Sequence, residues 1–193
     1  MALLDFTLAD PPASYLSEGP IYLRFPRKED FDAWAELRLR SRAFLQPWEP
    51  AWVEDELSIT SYRRRLRFYA REVRTDMARP FFVFRASDHQ LVGGCVLSNI
   101  RRGVAQIGTL GYWTGEPFVQ QGYASCAVRA VIRAAFHELG LQRLEAATLP
   151  KNMASQKLLR KANFREEGYA RKYLQIAGER QDHVLFGLIK EEQ

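Results

Sequence analysis

Residues 107–125 read Ile107-Gly108-Thr109-Leu110-Gly111-Tyr112-Trp113-Thr114-Gly115-Glu116-Pro117-Phe118-Val119-Gln120-Gln121-Gly122-Tyr123-Ala124-Ser125. The first part is rich in β-branched, leucine and aromatic residues and predicts a strand. Beyond Gly122, the apolar residues Ala127, Val128, Val131, Ile132, Ala135 and Phe136 recur at helical spacing, which predicts a helix over about 121–139 closed by Gly140. A strand that runs into a helix through small residues leaves unpaired backbone amides at the positive end of the helix dipole. Gly122 and Ala124 therefore open a seat for an anion such as a phosphate. The same glycine also serves helix-to-sheet packing, so the neighbouring segments have to decide.

Upstream, residues 21–25 predict a strand stopped by Pro26, and Asp30 is placed to cap a helix that turns Phe31, Trp34, Leu37 and Leu39 inward. Pro47 and Pro50 keep 44–52 irregular, a loop that displays Trp48, Glu49 and Trp52. Ser58 opens a second helix with Ile59, Tyr62, Leu66, Tyr69 and Val73 on one face. The other carries Arg63, Arg64, Arg65, Arg67, Arg71 and Arg74, either a solvated face or a nucleic-acid contact. Residues 81–84, 91–97 and 105–113 predict an antiparallel meander. Downstream come a strand over 144–148, a helix over 153–162 capped by Asn152 and ended by a left-handed Asn163, and two strands around Ala177-Gly178. The expectation is an α/β (α+β) domain over 21–193, with a mixed, mostly antiparallel seven-stranded sheet flanked by helices, behind an extended leader over 1–20.

With 193 residues, 47% apolar and 26% charged, the chain is long enough for one sizeable core and is neither fibrous nor disordered in composition. No apolar run suits a membrane helix, and the N-terminus lacks an export signal, so no membrane partner is expected. Cys95 and Cys126 sit in apolar contexts without metal spacing, which suggests free thiols and a cytoplasmic address. The net charge of +5 is compatible with an anionic ligand or ribosomal surroundings. The motifs of P-loop, dinucleotide, zinc-protease and serine-hydrolase sites are missing, and His89, His137 and His183 are far apart in sequence, so no metal is expected.

Taken together, the element order, the turn from Val119 to Ala124 and the stretch Pro150-Lys151-Asn152-Met153-Ala154-Ser155 resemble the GCN5-related N-acetyltransferase (GNAT) family over 21–193. That family's Q/R-x-x-G-x-G/A loop is matched except at Val119. Asn152 and Ser155, the Asn163-Phe164 pair, Glu166 to Tyr169, Asp182 to Phe186 and the 44–50 loop resemble the RimJ/RimL branch, most closely the RimJ-type ribosomal-protein alanine N-acetyltransferases. The resemblance implies acetyl-coenzyme A as co-substrate and direct attack by an amine in a ternary complex. It implies that the amides of Gln120, Gln121, Gly122, Tyr123, Ala124 and Ser125 take the pyrophosphate. The edge of Leu110, Gly111, Tyr112 and Trp113 would pair with pantetheine, and Asn152 would bond its amide.

The position of the acidic tyrosine used in RimI-like relatives is Leu159 here, so Ser155 is the candidate to stabilise the leaving sulfur. The glutamate suggested as base in RimL-like relatives falls at Leu174, which leaves Glu49, Glu116, Asp182 and His183 as candidates. Trp48, Glu49, Tyr173 and Asp182 are the expected acceptor contacts. An α-amine, with a pKa near 7.7–8.0, costs roughly 3.5 kcal/mol less to present as the free base at neutral pH than lysine at about 10.4. A site without an evident strong base therefore suits a protein N-terminus, for example of a ribosomal protein. A small amine as acceptor and a non-catalytic RNA-associated module are the alternatives.

Overall fold

The computed structural model describes residues 15–192. A hairpin of β1 (Tyr15–Glu18) and β2 (Ile21–Arg24) comes first, and its turn places Gly19 at φ +54°. It is followed by α1 (Phe31–Arg40), α2 (Arg42–Leu45) and α3 (Ile59–Arg74). Then come β3 (Arg79–Arg85), β4 (Leu91–Arg101), β5 (Ile107–Thr114), α4 (Tyr123–Arg133), β6 (Arg143–Thr148), α5 (Met153–Lys161), β7 (Arg165–Ile176) and β8 (Glu179–Ile189). The strands form one sheet in the order β1-β2-β3-β4-β5-β6-β8-β7. It has eight strands rather than the expected seven: Tyr15–Glu18, within the stretch read as a leader, pairs antiparallel with β2. The rest of that leader, 1–14, lies outside the described residues.

Every strand pair is antiparallel except β5 with β6. This ladder holds only Ile107 with Arg143, Gly108 with Leu144 and Thr109 with Glu145. Beyond it β5 stays with β4 as far as Thr114, and β6 stays with β8 as far as Thr148. Two strands that begin paired thus part, and each leaves a backbone edge facing the gap. The crossover between them is α4, whose buried Ala127, Val128, Ala130, Val131 and Ile132 join the core. Two of its core residues, Ala127 and Ala130, are alanines, which lets the helix axis come close to the sheet, while Val128, Val131 and Ile132 supply about 1.5–3 kcal/mol each by burial. The helix starts at Tyr123 and its last turn, Ala134–Glu138, is a π turn, so the uniform helix expected over 121–139 is shorter at its start and wound differently at its end.

Successive β5 side chains point to opposite faces. Trp113 lies beneath the Arg38 guanidinium of α1, 5.0 Å from the ring centre, and a side chain on Gly115 would run into Leu37. Tyr112 points the other way, toward α5. Ser58 caps α3 by accepting from Ser61 N at 3.1 Å, and Asn163 takes φ +66°. Two local readings change. Asp30 gives no side-chain cap to α1; its carboxylate binds the Arg24 guanidinium at 2.6 and 2.8 Å and accepts from Arg27 N at 2.7 Å. Leu39 is 60% exposed, and Arg38, four residues after Trp34, takes the inward place at 7%. Nor is 44–52 wholly irregular, since helical turns at Arg42–Leu45 and Gln46–Trp48 run up to Glu49. The Arg63 and Arg67 side chains are exposed, whereas Arg65 turns inward and pairs with Glu56.

Candidate active site

At one end of the gap stands the first turn of α4. Gln120 at φ +60° and Gly122 at φ +84° turn the chain into the helix, and the first turn bond runs from Cys126 N to Gly122 O at 3.1 Å. Among the described residues, the amides of Tyr123, Ala124 and Ser125 have no backbone acceptors, and no side chain caps them. A Cβ placed on Gly122 meets nothing within 4 Å, so the space before these amides is open. Such a positive helix end fits a phosphate. Gln121 turns back to donate to Pro117 O at 2.9 Å, and the Tyr123 ring is buried beside Phe118, so these two side chains brace the turn.

Along the gap, Leu110 buries its side chain and offers only backbone. Asn152 Oδ1 accepts from Ser155 N at 3.1 Å, capping α5 and leaving the Nδ2 hydrogens as its free donors. The Tyr112 hydroxyl and Ser155 Oγ are 2.8 Å apart, a bond that reaches from β5 to α5. Burial pushes the Tyr112 phenol up to about 12, against a smaller opposite effect of the Ser155 bond. Thr148, near the free end of β6, has a buried Oγ1 with no partner among the described residues. An orphan hydroxyl beside an unpaired strand edge suits a ligand that carries amide groups.

Beside the β5 edge, on the α1 and α3 side, lies a cavity of about 520 Å³ whose walls include Trp34, Arg38, Glu49, Trp52, Tyr69 and Trp113. Arg38 donates to both Glu49 oxygens at 2.7 Å, and Trp52 Nε1 donates to Oε2 at 2.9 Å. The guanidinium lies 4.4 Å from the Trp52 ring centre and 5.0 Å from that of Trp113. The cavity's other carboxylate, Glu56, is paired with Arg65. Both wall carboxylates are therefore neutralised by arginines. The loop carrying Glu49 is pinned by the β7–β8 turn, where Ala177 N donates to Glu49 O at 2.8 Å.

The expected site residues divide accordingly. Glu49 lies in the cavity wall with both oxygens engaged, by Arg38 and Trp52. Trp48 does not line the cavity; its ring lies 5.9 Å from Lys151 Nζ. Glu116 and His183 lie outside the cavity walls. Glu116 is exposed beyond the end of β5, where its backbone N donates to Ser41 Oγ at 2.9 Å. His183 is 2% exposed on β8, away from the cavity walls, with Nδ1 3.0 Å from Gln181 O and Tyr173 packed edge-on. Asp182 accepts from Lys172 N and from the Tyr169 hydroxyl, both at 2.8 Å, and these bonds lower its pKa. Tyr173 is 47% exposed. As cavity residues, Arg38, Arg65 and Tyr69 escaped the sequence reading. Arg65 lies three residues after Tyr62 and four before Tyr69, so helical spacing placed it on the inward face, but its charge assigned it to solvent.

Residues 21–165 match the family described as Acetyltransferase (GNAT) domain. The chain belongs to the GNAT acetyltransferases. This N-acetyltransferase is 33% identical to the [Ribosomal protein uS5]-alanine N-acetyltransferase of Escherichia coli (strain K12), over 82% of this chain and 83% of the relative. It is also 33% identical, over 88% of itself and 93% of the relative, to a Bacillus subtilis (strain 168) protein named "Probable N-acetyltransferase YjcK". Among solved structures, Mycobacterium smegmatis RimJ in complex with CoA-disulfide superposes with a TM-score of 0.86 at 30% identity, covering 92% of this acetyltransferase and 87% of that chain. No described helix is long and apolar enough to cross a membrane.

Proposed function

We propose that this GNAT acetyltransferase moves the acetyl group of acetyl-coenzyme A to the N-terminal α-amine of a protein, alanine-type and ribosomal, by direct attack in a ternary complex. In this reading the amides of Tyr123, Ala124 and Ser125 hold the pyrophosphate, the β5 edge from Leu110 to Trp113 aligns pantetheine, and Asn152 donates through Nδ2 to a pantetheine carbonyl. The amine enters from the aromatic cavity. Ser155 stands by the departing sulfur.

The observation that carries the acceptor class is the neutralised wall. Glu49 and Glu56 are each paired with an arginine. Among the described residues no unpaired carboxylate or imidazole lines the cavity, so the amine has to arrive with its proton nearly lost or shed it to water. An α-amine meets that condition at about 3.5 kcal/mol less cost than a lysine. Supporting the finer reading, the relative from Escherichia coli is named a [Ribosomal protein uS5]-alanine N-acetyltransferase and a solved structure from Vibrio fischeri a Ribosomal-protein-S5-alanine Acetyltransferase. The test is incubation with labelled acetyl-coenzyme A and a panel of alanine-starting peptides, N-terminally blocked lysine peptides and polyamines. The expected label is on the α-amines; preferential labelling of polyamines or lysine side chains would overturn the acceptor assignment.

A further inference from the structure

The bond between Tyr112 and Ser155 joins residues 43 positions apart and links the two sides of the opening in the sheet. Ser155 is fixed from behind, its amide donating to Asn152 Oδ1 at 3.1 Å. Tyr112 is fixed by its place in β5, opposite Cys95 of β4. It also lines both hollows of this region: the cavity walled by Trp52 and Trp113, and a narrow crevice against Tyr123 and Ala124 at the start of α4. A thioester running from the α4 end toward the cavity therefore passes this residue.

An aliphatic hydroxyl is a far weaker acid than a thiol of pKa about 8.5. If Ser155 alone gave its proton to a departing thiolate it would be left an alkoxide. It needs a second proton source within reach, and the Tyr112 hydroxyl is the side-chain group bonded to Ser155 Oγ. The geometry points to Tyr112 as a positioning residue for acyl transfer, which aims the Ser155 hydroxyl at the leaving sulfur and resupplies its proton.

This inference rests on the acetyl-transfer reading above. As the C–S bond breaks, its electron pair stays on sulfur, which takes the Ser155 proton. Ser155 Oγ takes the Tyr112 proton in the same movement. The nitrogen, now bonded to the acetyl carbon, sheds one proton through water to the Tyr112 oxygen, so no proton is gained or lost. Burial raises the phenol's pKa, so its anion, once formed, is a strong base for that proton.

The test is Tyr112→Phe, which keeps the ring and removes the hydroxyl, assayed with two donors at one acceptor peptide. With acetyl-coenzyme A, kcat is expected to fall about 10²-fold, the scale of a lost general acid, while KM for the donor changes by less than about twofold. With an acetyl thioester of an acidic aryl thiol, whose thiolate leaves without a proton, the rate above background should be unchanged. In a Ser155→Ala background, Tyr112→Phe should cost nothing further, because the tyrosine acts only through the serine. Equal losses with both donors, or additive losses in the double variant, would overturn the role of Tyr112 while leaving acetyl transfer in place. A wild-type enzyme that acetylates no amine from either donor would overturn the underlying reading, and this one with it.

Discussion

Replacing Gly122 by glutamate separates the coenzyme seat from the stability of the fold. Gly122 has φ +84°, where any L side chain costs about 1–2 kcal/mol. A Cβ there meets no neighbour, so no clash adds to that strain. The new carboxylate sits at the positive end of α4 and recovers roughly 0.3–1 kcal/mol from the helix dipole. The net loss of stability is thus about 1 kcal/mol. Binding is hit much harder, since a carboxylate about 4 Å from a phosphate charge, at an effective dielectric near 20, is opposed by roughly 4 kcal/mol, or about three decades in affinity. Gly122→Ala carries the same backbone strain without the charge. Calorimetric titration with coenzyme A should show nearly wild-type affinity for Gly122→Ala and about a 10³-fold loss for Gly122→Glu. The loss should shrink in about 1 M salt, where charges are screened within about 3 Å. Undiminished affinity in Gly122→Glu would refute the seat; equal losses in both variants would show that strain, not charge, is responsible.

Glu49→Gln should leave the Arg38 cation buried without its counter-charge and lower stability by about 3 kcal/mol in urea unfolding, comparable to breaking other buried pairs. If Glu49 is not the base, activity of the folded variant should keep the wild-type rise with pH, which follows the peptide amine to about pH 8. Arg133 and Arg129 hydrogen-bond Glu18 and lower its carboxyl pKa, tying β1 to α4. Because the unfolded carboxyl binds its proton at higher pH than the folded one, this stabilisation is complete above about pH 4.3 and fades as the pH falls through the lower folded value. Thermal midpoints of Glu18→Gln should therefore lie below wild type at pH 7 and converge with it in acid. Tyr62→Phe removes a fully buried hydroxyl that donates to Arg27 O at 2.7 Å, and should cost about 1–2 kcal/mol by chemical denaturation, with the cavity intact.

What could be read from the sequence was local. Ser58, Asn152, Asn163 and the Ala177-Gly178 turn act within four residues of themselves, through caps and positive φ angles, and a side chain's own chemistry foretells such roles. The positive φ at Gly122 and the unpaired amides that follow it belong to the same class. Misreadings arose where burial overrode residue type. Periodicity of apolar residues put Leu39 inside, but Arg38 is there because Glu49, Trp52 and Trp113 converge on its charge from two other segments. Glu116 and His183 were chosen for their chemistry, and only packing says that one faces solvent and the other is walled into the sheet.

By itself, then, the amino-acid sequence determined the order of the main elements from β2 onward, the turn at Gly122 before α4 and the family, because each rests on spacing along the chain. The tertiary structure alone decided that β5 and β6 part after Thr109, that Tyr112 meets Ser155 across the opening, and that arginines neutralise both cavity carboxylates. Those features depend on which distant segments pack together, and contact energies of that kind are summed over the whole core rather than over any window of neighbouring residues.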